Sequence, residues 1–277
     1  MPRIRLTNFV PAPDVLRCTT SPEAEAFVLS DLKEVTMHEV GHALGLTHNF
    51  RASTVYTQAQ LGDLEFTRTH GLTGSVMEYT PINLALRGEP QGTLSMATLG
   101  PYDYWAIEFA YRPIAPERER EELAAIAGRS NEPLLAYAYD DESNLAIDPD
   151  ATPGDLGSDP LAFAKGRTAY VASLWRNPNF EQRVVGNSGD LTAFRRAMDT
   201  LLGQYGIAAG MAVKYLGGSY MSRVERGQPG EVAPVNPVPA AKQREALDFL
   251  SKSVWAADAF AAPAAMACIM TLPIAVA

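Results

Sequence analysis

Cysteine is scarce in this sequence: only Cys18 and Cys268 occur in 277 residues, at opposite ends of the chain. No Cys-x-x-Cys exists, so neither a disulfide framework nor a zinc site closed by thiolates can be read. Two separate small hydrophobes are the expected role, and a single bridge between them stays open. Basic excess is also missing. The net charge is −9 and the pI about 5.0, which excludes the basic face of a nucleic-acid binder. An apolar leader is missing too: Met1-Pro2-Arg3-Ile4-Arg5-Leu6 runs into Thr7 and Asn8, so no signal peptide is read. Only Ala259 to Ala277 lacks charge over nearly the length of a membrane span. Pro263 and Pro273 interrupt it, and a buried or frayed terminal segment is the preferred reading, a membrane contact the lesser one. No internal repeat is visible.

What is present suits a globular fold. Hydrophobic residues make up 47% and charged residues 20%, ordinary values in a chain long enough to bury a core. Arg3 to Leu6 alternates like a short strand, then Pro11 and Pro13 break it. Ser21-Pro22-Glu23 is a helix start. A second start stands at Asp31, with Glu34 as its capping-box partner, and predicts a helix over 31–44. Further helices are expected over 56–69, from Pro101 with Trp105, Ile107, Phe109 and Tyr111 as core, and over 117–127 as a solvated charged face. Asp140 to Asp159 reads as an acidic, solvated connection. A calcium loop there fails, because Pro153 falls where glycine is needed and Asp159 replaces the final glutamate. Helices follow over 160–175, 191–205 and 240–251. The expected fold is α+β and predominantly helical, with residues 1–113 as a zinc-bearing portion and 114–277 as a helical one.

The chemistry lies in His38-Glu39-Val40-Gly41-His42-Ala43-Leu44-Gly45-Leu46-Thr47-His48. Residues four apart share a helix face, so His38 and His42 can address one point. Gly45 can adopt the left-handed conformation that ends the helix and turns the chain back. His48 then brings a third imidazole from outside the helix. Three imidazoles with an open position are how catalytic zinc is held. Glu39, about 100° round from His38, is placed to act as general base on the water such a metal activates. Three of the four histidines fall inside this stretch. The fourth, His70, reads as a surface residue.

The pattern H-E-x-x-H-x-x-G-x-x-H resembles the metzincin clan of zinc metalloproteases, and Ser75-Val76-Met77-Glu78-Tyr79 is similar to its Met-turn. The resemblance implies that Met77 lies beneath the three histidines. Tyr79, two residues on, matches a position where astacins and serralysins carry a tyrosine able to approach zinc or the developing oxyanion. The stretches 48–53, 100–107 and 155–160, with Gly217-Gly218-Ser219-Tyr220 and 239–243, resemble the bacterial family with the EcxA-type zinc-binding domain. That implies a secreted or periplasmic endopeptidase acting on peptides or proteins with one catalytic zinc. Nothing in the sequence fixes an oligomeric state or cleavage specificity. With only 37 residues before His38, much of a metzincin's N-terminal sheet is expected to be missing. A truncated or catalytically silent zinc-binding module of a larger protein therefore remains the alternative reading.

Overall fold

The computed structural model describes residues 22–86, 88–186, 191–228 and 230–260. The expected strand at 3–6, both cysteines and most of the apolar C-terminal segment lie outside these residues.

Helix α1 (Pro22–Ala43) is one continuous helix, not two. The expected capping box at Asp31 does not form. Ser30 Oγ donates back to Phe27 O at 2.8 Å, as a mid-helix serine can, so the backbone continues through. The freed Glu34 carboxylate instead reaches outward and accepts the Met96 N–H at 2.6 Å. Lys33 donates to Ala97 O and Ser30 to Ser95, so segment 95–97 is laced along the zinc-motif helix.

After a 3₁₀ turn (Ala52–Val55), the helix expected over 56–69 is broken into α2 (Gln58–Gly62) and α3 (Leu64–His70). Two caps set the breaks: Thr57 accepts from Gln60 N, and Asp63 accepts from Glu65 N and Phe66 N. His70 is exposed at the end of α3, as expected. Helix α4 (Pro101–Tyr111) starts at its proline, but its expected core residues are corrected. Phe109 and Tyr111 are exposed, and Trp105 and Ile107 are half-buried. The buried residue of α4 is Asp103. Trp105 spends its indole N–H on Ile126 O of α5 (Glu119–Ala127) at 2.8 Å, which holds its ring at the edge of the packing.

The acidic connection is also corrected. It contains α6 (Asp140–Asn144), and Asp148 and Asp155 are buried, along with Ala151, Thr152 and Leu156. For Asp148 the reason is partnership. Asp148 pairs with Arg51 and accepts the Met221 N–H, Lys214 donates to Ala151 O at 2.8 Å, and Leu156 enters the core beside Leu61, Leu72 and Met77.

Beyond it, α7 (Pro160–Trp175), α8 (Phe180–Val185), α9 (Leu191–Val213) and α10 (Ala240–Ser253) pack together. Asp159 caps α7 by accepting from Leu161 N and Ala162 N. Two apolar clusters fill the interior. One joins Leu161, Ala208, Met211, Tyr215 and Leu250; the other joins Val171, Trp175, Phe194, Leu201 and Tyr205. Strands β1 (Ser219–Met221) and β2 (Val235–Pro237) form the only sheet among the described residues, an antiparallel pair with Tyr220 opposite Asn236. The class is α+β and mainly helical. No helix of the described residues is long and apolar enough to cross a membrane.

Candidate metal centre

The end of α1 is made by backbone alone. Gly45 has φ +89°, its N–H bonds His42 O at 3.0 Å, and Leu46 N–H bonds Gly41 O at 3.0 Å. This is a Schellman closure, which requires the left-handed residue that glycine supplies. The chain then reverses, and His48 returns to the face that carries His38 and His42. The three ligand nitrogens lie within 4.8 Å of one another, the single such metal-competent group among the described residues.

Each ring is fixed through Nδ1. His38 Nδ1 meets Val76 O at 2.7 Å, His42 Nδ1 meets Leu46 O at 3.0 Å, and His48 Nδ1 meets the Asp140 carboxylate at 2.9 Å. A carbonyl or carboxylate oxygen can only accept, so each Nδ1 must carry the proton. Each Nε2 is then left with its lone pair free, the tautomer that a metal-binding imidazole needs. Burial pushes the His38 pKa down, with the neighbouring His42 and His48 adding to it, which favours the same neutral form. The donor set of three imidazoles without a thiolate fits zinc with an open position.

Met77 packs against the helix that carries His38 and His42. It is fully buried, and Gly41 faces its sulfur so closely that a Cβ there would overlap the thioether. The Met-turn is held by Asp103, which accepts from Ser75 Oγ at 2.6 Å, Val76 N at 3.0 Å and Gly100 N at 2.7 Å. Ser75 Oγ in turn accepts the Met77 N–H. Val76, whose carbonyl orients His38, is thus oriented by Asp103.

Glu39 is exposed between His38 and His42 in sequence. The Tyr79 ring is 4.7 Å from the His48 ring and 5.6 Å from that of His38, centroid to centroid. It is half-exposed, and its hydroxyl makes no hydrogen bond among the described residues. Burial raises its pKa, and the charges of Asp140 and Glu39 raise it further. Glu78 turns inward and accepts from Ser53 N and Tyr79 N. Burial drives its pKa well up, and the equally buried Asp155 adds to the rise.

Sequence reasoning missed Asp140, the partner of His48, as well as the inward acids Glu78, Asp103 and Asp155. No local pattern marks Asp140. It is delivered because Asn49 and Phe50 bind strand-like segment 136–138: Asn49 bonds Ala136 O and Ala138 N, and Phe50 N–H bonds Ala138 O.

A three-imidazole centre at the end of a helix, closed beneath by a methionine, defines a metzincin-type metal site. The model of the Met-zincin family matches residues 20–271, and the chain belongs to that family. No curated protein matches the chain significantly, and neither does any solved structure.

Proposed function

We propose that this Met-zincin is a zinc-dependent endopeptidase of peptides or proteins, with His38, His42 and His48 holding the metal and Glu39 acting as general base. The observation that carries the reading is the set of three Nδ1 partners, which leaves three convergent Nε2 lone pairs, with the exposed Glu39 next to His38 in sequence. When bound, zinc supplies Lewis acidity toward a peptide carbonyl and lowers the pKa of water at its open position. The Glu39 carboxylate takes the proton from the attacking water and returns it to the leaving amine nitrogen. The Tyr79 hydroxyl, without a hydrogen-bond partner among the described residues, donates to the developing oxyanion. Gly45 and Met77 serve structurally, one turning the chain and the other bracing the helix beneath the histidines.

The finer assignment follows the same route. Kinship with the EcxA-type family, a secreted or periplasmic setting, and division into a zinc portion (1–113) and a helical portion (114–277) belong to this proposal. The contacts at 48–53 and 100–103 support the first: His48 is one of the three imidazoles, and Asp103 holds Val76, whose carbonyl meets His38 Nδ1.

A second reading, a silent zinc-binding module, is favoured by one observation. Among the described residues no sheet flanks α1, and Val28, Leu29, Leu32 and Val40 along it are exposed. Glu39→Gln separates the two. The amide keeps the shape but cannot accept the proton, so zinc should stay and peptide cleavage should fall by roughly 10²–10⁴-fold. Cleavage by the variant at the wild-type rate removes Glu39 as the base, and no cleavage by the wild type removes the peptidase assignment.

A further inference from the structure

A cavity of about 590 Å³ lies between α2, residues 83–86 and 89–90, loop 156–159 and α7, and none of the metal-site residues lines it. Its walls are mainly apolar, with Leu84, Leu86, Pro90, Leu156, Ala162 and Phe163 among them. This size and character match pockets for small organic ligands.

Among the polar residues of that wall is a cation, Arg167 of α7. It is only 8% exposed, yet no carboxylate of the described residues lies within ion-pair distance. One amino group, Nη2, donates to Ile82 O at 3.0 Å, and the guanidinium carbon stands 5.0 Å from the centre of the Phe163 ring. These contacts occupy one edge and one face of the group. Its other N–H donors have no protein partner among the described residues. A buried guanidinium is costly without an anion, and here burial lowers its pKa to about 10.

Two acids also line the cavity. Asp159 is neutralised by Lys242 at 2.7 Å and caps α7. Glu89 is exposed at the rim. Both disfavour a multiply charged ligand, whereas one guanidinium balances one carboxylate, which it can grip with two parallel N–H donors.

We propose that this cavity binds a monocarboxylate on an apolar body, with the carboxylate on the free edge of Arg167 and the body against the apolar wall. A free aliphatic acid and the C-terminus of a peptide ending in an apolar residue share that chemistry. The site is separate from the metal centre and stands or falls without it.

Calorimetry on the full zinc-loaded chain tests the proposal, with octanoate, N-acetyl-glycyl-leucine, acetate and inorganic phosphate as probes. One or both apolar carboxylates should bind with Kd below about 1 mM. Acetate and phosphate should bind at least about tenfold more weakly. Whichever apolar probe is tighter identifies the source. Arg167→Met should weaken binding at least about tenfold, and Arg167→Lys, which keeps charge but loses the fork, should fall between. Gly166→Leu is the second arm, since Gly166 lines the cavity and a Cβ there meets nothing within 4 Å. It should fold, because leucine suits a helix interior better than glycine, and it should abolish binding by filling the space. Failure of both apolar probes to bind the wild type overturns the proposal. Binding unchanged by Arg167→Met and Gly166→Leu does so too, because it would put the ligand elsewhere, the metal centre included. Phosphate as the tightest probe overturns the carboxylate assignment.

Discussion

The metal-bearing region and the helical region solve the problem of burial differently. From α7 onward, the interior is made of apolar side chains on long helices, and Arg167, Thr168 and Gln204 are the only buried polar residues described there. Before α7, burial falls on Asn49, Ser53, Thr67, Thr73, Ser75, Glu78, Asn83, Asp103, Asp148 and Asp155, among others. Most of these side chains bond backbone of irregular segments, as Asn83 does to Leu61 O and Thr93 O. Loops without a ladder must satisfy their backbone groups in this way. The lesson is one of precision: apolar packing tolerates repacking, whereas directional bonds fix where a carbonyl or carboxylate points. The site needs the second kind, because Val76 O, Leu46 O and Asp140 determine which nitrogen each histidine offers.

Paired substitutions sharpen this contrast, and the largest effects come first. Phe194→Ala in the helical core should cost about 3–5 kcal/mol through the cavity it leaves, with no change in zinc affinity. Asp103→Ala should cost roughly 2–4 kcal/mol, because it strands three buried donors, and should weaken zinc binding as well by releasing Val76. Thermal melts with zinc titrations check both. If Asp103→Ala leaves zinc affinity untouched while lowering the melting temperature, the Met-turn is packing and not positioning.

Asp140→Ala should act almost wholly on the metal. Loss of a carboxylate behind a ligating histidine typically costs about 10–100-fold in affinity, and Asp140→Asn should recover part of it by still accepting from His48 Nδ1. Competition with a chelator of known zinc affinity measures this. Equal affinities for wild type and Asp140→Ala would reduce their contact to a surface ion pair.

The smallest effect concerns the lacing of α1. Burial raises the Glu34 pKa to about 7 from a usual 4.5. A carboxyl whose folded pKa is raised contributes stability that is full below its unfolded pKa and lost as pH rises through the folded one. Glu34→Gln should therefore lessen the fall in melting temperature between about pH 5 and pH 8 by a few degrees. Parallel melts at both pH values check it, and identical slopes would contradict a buried Glu34.

The same contrast explains what the sequence made legible. Long helices α7, α9 and α10 were readable because propensity and length agree there, and α7 has its Asp159 cap besides, although α9 runs on to Val213. The histidines were readable because their chemistry demands fixed spacing, His38 and His42 on one helix turn and His48 just past the Gly45 turn. Asp140 was not, since it meets His48 across 92 residues of sequence through pairing that only the folded chain creates. Asp148 was misread as solvated because charge suggests water until a partner such as Arg51 is known, and no local pattern marks Asp155 as buried. The β1–β2 pair escaped because three-residue strands carry too little alternation to be seen.

The account stands on three imidazoles acting as one metal site beside a base that is not a ligand. Zinc content after exhaustive dialysis, measured side by side for wild type, His42→Ala and Glu39→Gln, tests this most directly. The prediction is about one zinc per chain in wild type and Glu39→Gln, and near none in His42→Ala. Equal zinc in wild type and His42→Ala, or loss of zinc in Glu39→Gln, would contradict it.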